Sequence, residues 1–149
     1  MKLSVIVPCF NEEKTIQIII NKILNQSYEN KEIIIVDDCS NDNSANIIKN
    51  FDNKNIKLIT NTKNYGKGYC IRKGISASSG KIILIQDADL EYEPDDYDSL
   101  INPIIKGHAD VVFGSRFLGS QEHRVLYFWH KVGNTLLTIL SNIFSNLNL

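Results

Sequence analysis

The chain has 149 residues, of which 43% are hydrophobic and 22% charged, with a formal net charge of −1. That composition describes one ordinary domain, long enough to bury roughly 70% of the surface its unfolded chain exposes. With near-neutral charge and no Lys/Arg-rich run, a global pull toward nucleic acid is excluded, and any anion site must be local.

Met1 and Lys2 lead straight into an apolar segment, without the apolar stretch and small-residue cleavage site of a signal peptide, so the expected compartment is the cytosol. Cys9, Cys39 and Cys70 are widely spaced and form no Cys-x-x-Cys or Cys/His ligand pattern. They read as three small buried residues in a reducing environment.

In chain order, residues 3–7 read as the first strand. A helix follows, with Asn11 as N-cap, Glu12 and Glu13 at its positive end, and Ile16, Ile19, Ile20, Ile23 and Leu24 forming one apolar stripe. Residues 32–36 are the second strand, 44–51 a helix, 56–60 the third strand and 67–78 a helix stopped by Gly80. Residues 81–86 are the fourth strand. A helix over 94–106 then starts with Pro94 in its first turn and stops at Gly107, and residues 110–113 are the fifth strand. From Arg124 to Leu147, apolar residues such as Val132, Leu136, Ile139, Leu140 and Ile143 recur at three- and four-residue steps, which predicts a long amphipathic helix. It suits packing on a core, a partner chain or a membrane interface, and its polar interruptions argue against a spanning helix. The alternation of strands and helices predicts an α/β fold with a mostly parallel sheet.

In such a sheet ligands bind beyond the carboxyl ends of the strands, and those positions here are polar and acidic. Pro8 to Glu13 follow the first strand, Asp37-Asp38-Cys39-Ser40 the second, Asp87-Ala88-Asp89 the fourth and Gly114-Ser115-Arg116 the fifth. Asp87 and Asp89 stand two apart directly after Ile82-Ile83-Leu84-Ile85; in extended backbone they project to one side and can address a single hard cation. A solvated acidic turn is the alternative. Asp38 can accept the ring N–H of uracil or guanine, or ribose hydroxyls, while capping the helix after Ser40 accounts for Asp37 or Asp38 equally well. Asn64-Tyr65-Gly66-Lys67-Gly68 can present backbone N–H groups and an ammonium to phosphate at a helix start, or be an ordinary glycine turn. Arg116 can clamp a phosphate with its planar fork. P-loop and dinucleotide-binding glycine patterns are absent.

Val5-Ile6-Val7-Pro8-Cys9-Phe10-Asn11-Glu12-Glu13, Ile35-Val36-Asp37-Asp38-Cys39-Ser40, Asn64-Tyr65-Gly66-Lys67-Gly68, Asp87-Ala88-Asp89 and Gly114-Ser115-Arg116 occur in one order over nearly the whole chain. In these the chain resembles family 2 glycosyltransferases, above all the polyprenyl-phosphate sugar transferase branch. The resemblance implies a GT-A fold with a C-terminal amphipathic helix. It implies that Pro8, Glu12 and Asp38 line a nucleoside pocket, with Asn11, Asp37 and Lys67 as further donor-binding candidates. Asp87 and Asp89 would hold Mg²⁺ or Mn²⁺ on the donor diphosphate, Glu91 would add a ligand, and Asp89 and Arg116 would be the catalytic pair.

The implied reaction moves a hexose from a UDP- or GDP-sugar, of the UDP-glucose or GDP-mannose type, to a dolichyl or undecaprenyl phosphate. A phosphate monoester with a second pKa of about 6 is largely dianionic at neutral pH and attacks without a protein base, inverting the anomeric centre. Family members that glycosylate hydroxyls need a carboxylate base farther along, and no candidate follows Glu122. The expected organisation is a single domain with a nucleotide-sugar core over 1–115 and an acceptor or membrane-interface segment over 116–149, truncated at Leu149 relative to the family. The expected setting is peripheral at the cytosolic membrane face, with no nucleic acid and with self-association through the C-terminal helix. Transfer to a saccharide hydroxyl, a non-catalytic nucleotide-binding fragment and a phosphoacceptor module are the alternatives. The last suffers because its paired acids would follow the first strand, not the second.

Overall fold

The computed structural model describes residues 1–90, 94–114 and 128–145. The chain divides into two compact units, Met1–Val112 and Phe113–Leu149. The first is built on four strands, β1 (Leu3–Cys9), β2 (Lys31–Asp37), β3 (Ile56–Thr60) and β4 (Ile82–Ile85), in the order β3-β2-β1-β4. All three strand pairings are parallel, with Cys9 opposite Asp37, Asp37 opposite Thr60 and Ile6 opposite Ile85. Helices α1 (Ile16–Asn25), α2 (Ser44–Lys49), α3 (Lys67–Ala77) and α4 (Tyr97–Ile105) connect or follow them.

Strand alternation sorts the side chains into two layers. Leu3, Val5, Val7, Ile33, Ile35, Ile82 and Leu84 join Ile16, Ile19, Ile20 and Ile23 of α1, Ile48 of α2 and Tyr97 and Ile101 of α4 in the main core. Ile34 and Val36 turn the other way, toward Cys70 of α3. Gly74 of α3 packs on Ile6, so closely that a Cβ there would collide with Ile6 Cγ2. The site inherits this parity: Asp38 continues the side of Ile34 and Val36, whereas Asp37 continues the side of Ile33 and Ile35.

Four sequence expectations are revised. Asn11 does not cap α1: the helix starts at Ile16 after Thr15, and Asn11 has φ 56°. The reason is that Glu12 N–H donates to Ser44 Oγ (2.8 Å) and Glu13 N–H to Asp42 Oδ2 (3.0 Å), while Glu12 O accepts Thr15 N–H and Ile16 N–H in a turn. The apolar stripe of α1 is nevertheless as read. Gly80 does not stop α3, which ends at Ala77; it lets the chain pass against β1, where a Cβ would lie 2.7 Å from Ser4 N. No strand forms over 110–113, where Val111 and Phe113 are 65% and 68% exposed. An apolar run becomes a strand only against a ladder partner, and among the described residues β4 pairs with β1 alone. Cys39 is half-buried with φ 63°, unlike the buried Cys9 and Cys70.

Pro94–Asp96 forms a 3₁₀ turn ahead of α4, and Gly107, at φ 71°, closes that helix by donating to Ile104 O at 3.0 Å. In the second unit, α5 runs from Phe128 to Ser145. The expected continuations to Arg124 and Leu147 lie outside the described residues. Val132, Leu136, Ile139 and Ile143 form an exposed apolar stripe on α5. Among the described residues no helix is long and apolar enough to cross a membrane.

Candidate active site

A cleft of about 350 Å³ opens at the carboxyl ends of β1, β2 and β4. Pro8, Cys9, Phe10 and Glu12 form its β1 side, Asp38 its floor, Asn64, Gly66, Lys67 and Cys70 its α3 side, and Asp87, Ala88 and Asp89 its β4 side. Five of the candidates read from the sequence, Pro8, Glu12, Asp38, Lys67 and Asp87, therefore meet Asp89 in one place.

Asp38 organises the cleft. It is 3% exposed, and its carboxylate accepts Asn61 Nδ2 at 2.7 Å, Tyr65 N–H at 3.0 Å and Gly66 N–H at 2.7 Å. Burial alone would raise its pKa, but these donors outweigh burial and hold the carboxyl below its ordinary value. Asp38 caps no helix after Ser40; it ties the loop before α3 to the end of β2. Gly66 turns that loop at φ 87°, a conformation costly for residues with a Cβ. Lys73 Nζ in turn donates to Asn61 Oδ1 at 2.7 Å, so the amide is fixed from both ends.

Asp37 is in the other layer. It is 1% exposed and lies outside the groups lining the cleft, with Oδ2 accepting Ser40 N–H at 3.4 Å and Oδ1 without a hydrogen-bond partner. Asn11 is also outside the lining. Its amide oxygen accepts Asn41 N–H at 2.8 Å and its N–H donates to Ser40 Oγ at 3.0 Å, joining the loop after β1 to the loop after β2. Glu12 Oε2 accepts the Thr15 hydroxyl at 2.6 Å.

On the β4 side, the backbone bends after Asp87, yet Asp87 and Asp89 both line the cleft. Gln86 anchors the bend: its N–H donates to Ile6 O at 2.9 Å and its side-chain oxygen accepts the buried Tyr97 hydroxyl at 2.9 Å. Asp87 Oδ1 lies 2.6 Å from Lys67 Nζ. Among the described residues no three His, Cys, Asp or Glu side chains converge as a cation cage. Two hard carboxylates lining one cleft fit a cation that completes its shell with phosphate oxygens and water, as Mg²⁺ and Mn²⁺ do on nucleotides. Glu91 and Arg116 lie outside the described residues.

Burial dominates the surroundings of the two cleft cysteines. Burial, then the charge of Asp37, pushes the Cys9 thiol up to about 12, and burial, then Asp38, pushes Cys70 to about 11. Asn61 was not singled out from the sequence. The strand-end rule would have found it, since it directly follows β3.

The family model described as Glycosyl transferase family 2 matches residues 4–143. A UDP-N-acetylglucosamine–dolichyl-phosphate N-acetylglucosaminyltransferase of Methanococcus voltae is 34% identical, over 93% of this chain and 61% of its own length. Staphylococcus aureus TarS, residues 1–349 in complex with UDP-GlcNAc, superposes with a TM-score of 0.66 at 28% identity, over 82% of this chain and 37% of that one. The mannosyltransferase PcManGT of Pyrobaculum calidifontis, in complex with GDP-Man and Mn²⁺, gives 0.58 at 26% identity, over 64% and 29%. The chain thus spans less than two thirds of these proteins, and its sheet and flanking helices are of the GT-A type.

Proposed function

The chain belongs to glycosyl transferase family 2, and from that premise we propose that its cleft binds a UDP- or GDP-hexose with Mg²⁺ or Mn²⁺ for inverting transfer to a polyprenyl phosphate. The observation that carries this reading is the meeting of Pro8, Glu12, Asp38, Lys67, Asp87 and Asp89 around one open cleft at the strand ends. The printed ligands of TarS and PcManGT, UDP-GlcNAc and GDP-Man with Mn²⁺, support the donor class. The dolichyl-phosphate specificity named for the Methanococcus voltae relative supports the acceptor class.

Asp38 supports the reading in a revised way. With its oxygens engaged by Asn61, Tyr65 and Gly66, its first contribution is to hold the loop that shapes the nucleotide side of the cleft; a base N–H would share an oxygen already accepting those bonds. Asp87 and Asp89 would hold the divalent cation, which when bound supplies Lewis-acid stabilisation of charge on a departing diphosphate. Lys67 and the amino end of α3 add positive potential on the same side. In the transfer, a phosphate oxygen of the lipid bonds to the anomeric carbon as the bond from that carbon to the diphosphate oxygen breaks. The bonding pair leaves on the nucleoside diphosphate. Because the attacking oxygen is already anionic, no protein base is required. The exposed apolar stripe on α5 suits a peripheral contact with the membrane that carries such an acceptor.

The test is calorimetric titration of UDP-glucose, UDP-GlcNAc and GDP-mannose with and without Mn²⁺, followed by transfer of radiolabelled sugar to undecaprenyl or dolichyl phosphate in detergent. Metal-dependent binding of one donor is expected. Product formed with a free saccharide and not with the lipid phosphate would replace the acceptor, and no binding of any donor would overturn the reading.

A further inference from the structure

The ion pair between Lys67 Nζ and Asp87 Oδ1, at 2.6 Å, spans the cleft. We propose that Lys67 is a counter-ion that a divalent cation must displace from Asp87, so that metal and nucleoside diphosphate enter the cleft as a coupled pair. This rests on the reading of the cleft as a donor site.

The two partners are unequal. Asp87 is fixed at the end of β4 and its side chain is 21% exposed, whereas the Lys67 side chain is 59% exposed on the first turn of α3 and carries a flexible four-carbon stem. A dication and an ammonium cannot both sit at contact distance from one carboxylate oxygen without repelling each other. The lysine is the partner that moves. Metal arriving alone leaves the ammonium beside a dication with no anion to replace Asp87. Metal arriving with a diphosphate brings that anion, and Gly66 and Lys67 both face the cleft it would occupy.

The coupling is therefore positive, and by linkage each ligand strengthens the other by the same factor. Removing the ammonium should strengthen binding of metal alone by roughly two- to fivefold, the range a partly exposed ion pair is worth, and weaken the mutual enhancement.

The test is titration of Mn²⁺ alone, by calorimetry and water-proton relaxation, into the wild-type chain, Lys67→Met, Asp87→Asn and the double variant. UDP and GDP are then titrated with and without Mn²⁺, and thermal unfolding checks that each variant is folded. Expected are tighter Mn²⁺ binding by Lys67→Met without nucleotide, no such gain on the Asp87→Asn background, and a smaller Mn²⁺ enhancement of nucleotide binding. Unchanged or weaker Mn²⁺ binding by Lys67→Met would overturn the proposal. So would a gain that persists with Asp87→Asn, because the lysine would then act through the general field. Failure of the donor reading shows separately, as wild-type chain that binds neither UDP nor GDP with or without Mn²⁺.

Discussion

The carboxylate of Asp38 accepts the backbone N–H of Gly66 at 2.7 Å, binding the carboxyl end of β2 to the residue that opens α3. That bond crosses 28 residues of sequence and makes the α3 side of the cleft one piece with the sheet. Asp38→Asn replaces an acceptor with an amide that cannot serve all the donors now facing Asp38. The variant should lose about 1–3 kcal/mol of stability, the cost of leaving buried donors unsatisfied, and bind nucleotide more weakly. Urea unfolding and nucleotide calorimetry check the two effects, and an unchanged unfolding midpoint would show that the loop is not held through Asp38.

Sequence alone reveals the parallel sheet, the apolar stripe of α1 and the identity of the cleft acids, because period and strand-end position are local properties. The separate fates of Asp37 and Asp38 depend on which layer each side chain enters, and adjacent residues on a strand necessarily take opposite layers. The displaced start of α1 depends on Asp42 and Ser44, about thirty residues away, taking the N–H groups of Glu13 and Glu12. The pairing of Lys67 with Asp87 depends on β4 lying beside β1, which no spacing encodes. Residues 110–113 carry the composition of a strand, but strand formation needs a neighbour as well as a propensity.

Glu32, near the opposite end of the sheet, makes the fold sensitive to acid. Burial would raise its pKa, but hydrogen bonds from Lys2, Ser4 and Ser79 outweigh that and bring it from 4.5 to about 2. A folded pKa below the unfolded one gives stability that is present above about pH 4.5 and is lost as pH falls toward 2. Chemical denaturation should therefore show stability dropping across that window by about 1–3 kcal/mol from this group. Glu32→Gln should flatten the drop and be less stable than wild type at pH 7. An identical pH slope in the variant would remove Glu32 as its source.

Gly74 sits inside α3, where helix propensity alone predicts that alanine stabilises by up to about 1 kcal/mol. Its position over Ile6 predicts the opposite, because an added methyl meets a fully buried side chain on β1. Overpacking of this kind costs about 1–3 kcal/mol, so Gly74→Ala should unfold at lower urea. Pairing it with Ile6→Ala, which removes the Cγ1 and Cγ2 atoms that the added methyl meets, should cost less than the sum of the two single changes. A stabilised Gly74→Ala would show that α3 can move off the sheet freely.

Asp89 shares the cleft with Asp87, whose carboxylate pairs with Lys67. If the two carboxylates hold one cation, Asp89→Ala leaves a single carboxylate, too few hard ligands to keep Mn²⁺ on a diphosphate. Metal-free nucleotide affinity should then persist, since Asp38, Asn64 and Gly66 remain in place, while the enhancement by Mn²⁺ disappears. Calorimetric titration of UDP and GDP into both proteins, with Mn²⁺ and with EDTA, separates these terms. An undiminished Mn²⁺ effect in Asp89→Ala would mean that the cation is held elsewhere, and would dissolve the assignment of this acid to the metal.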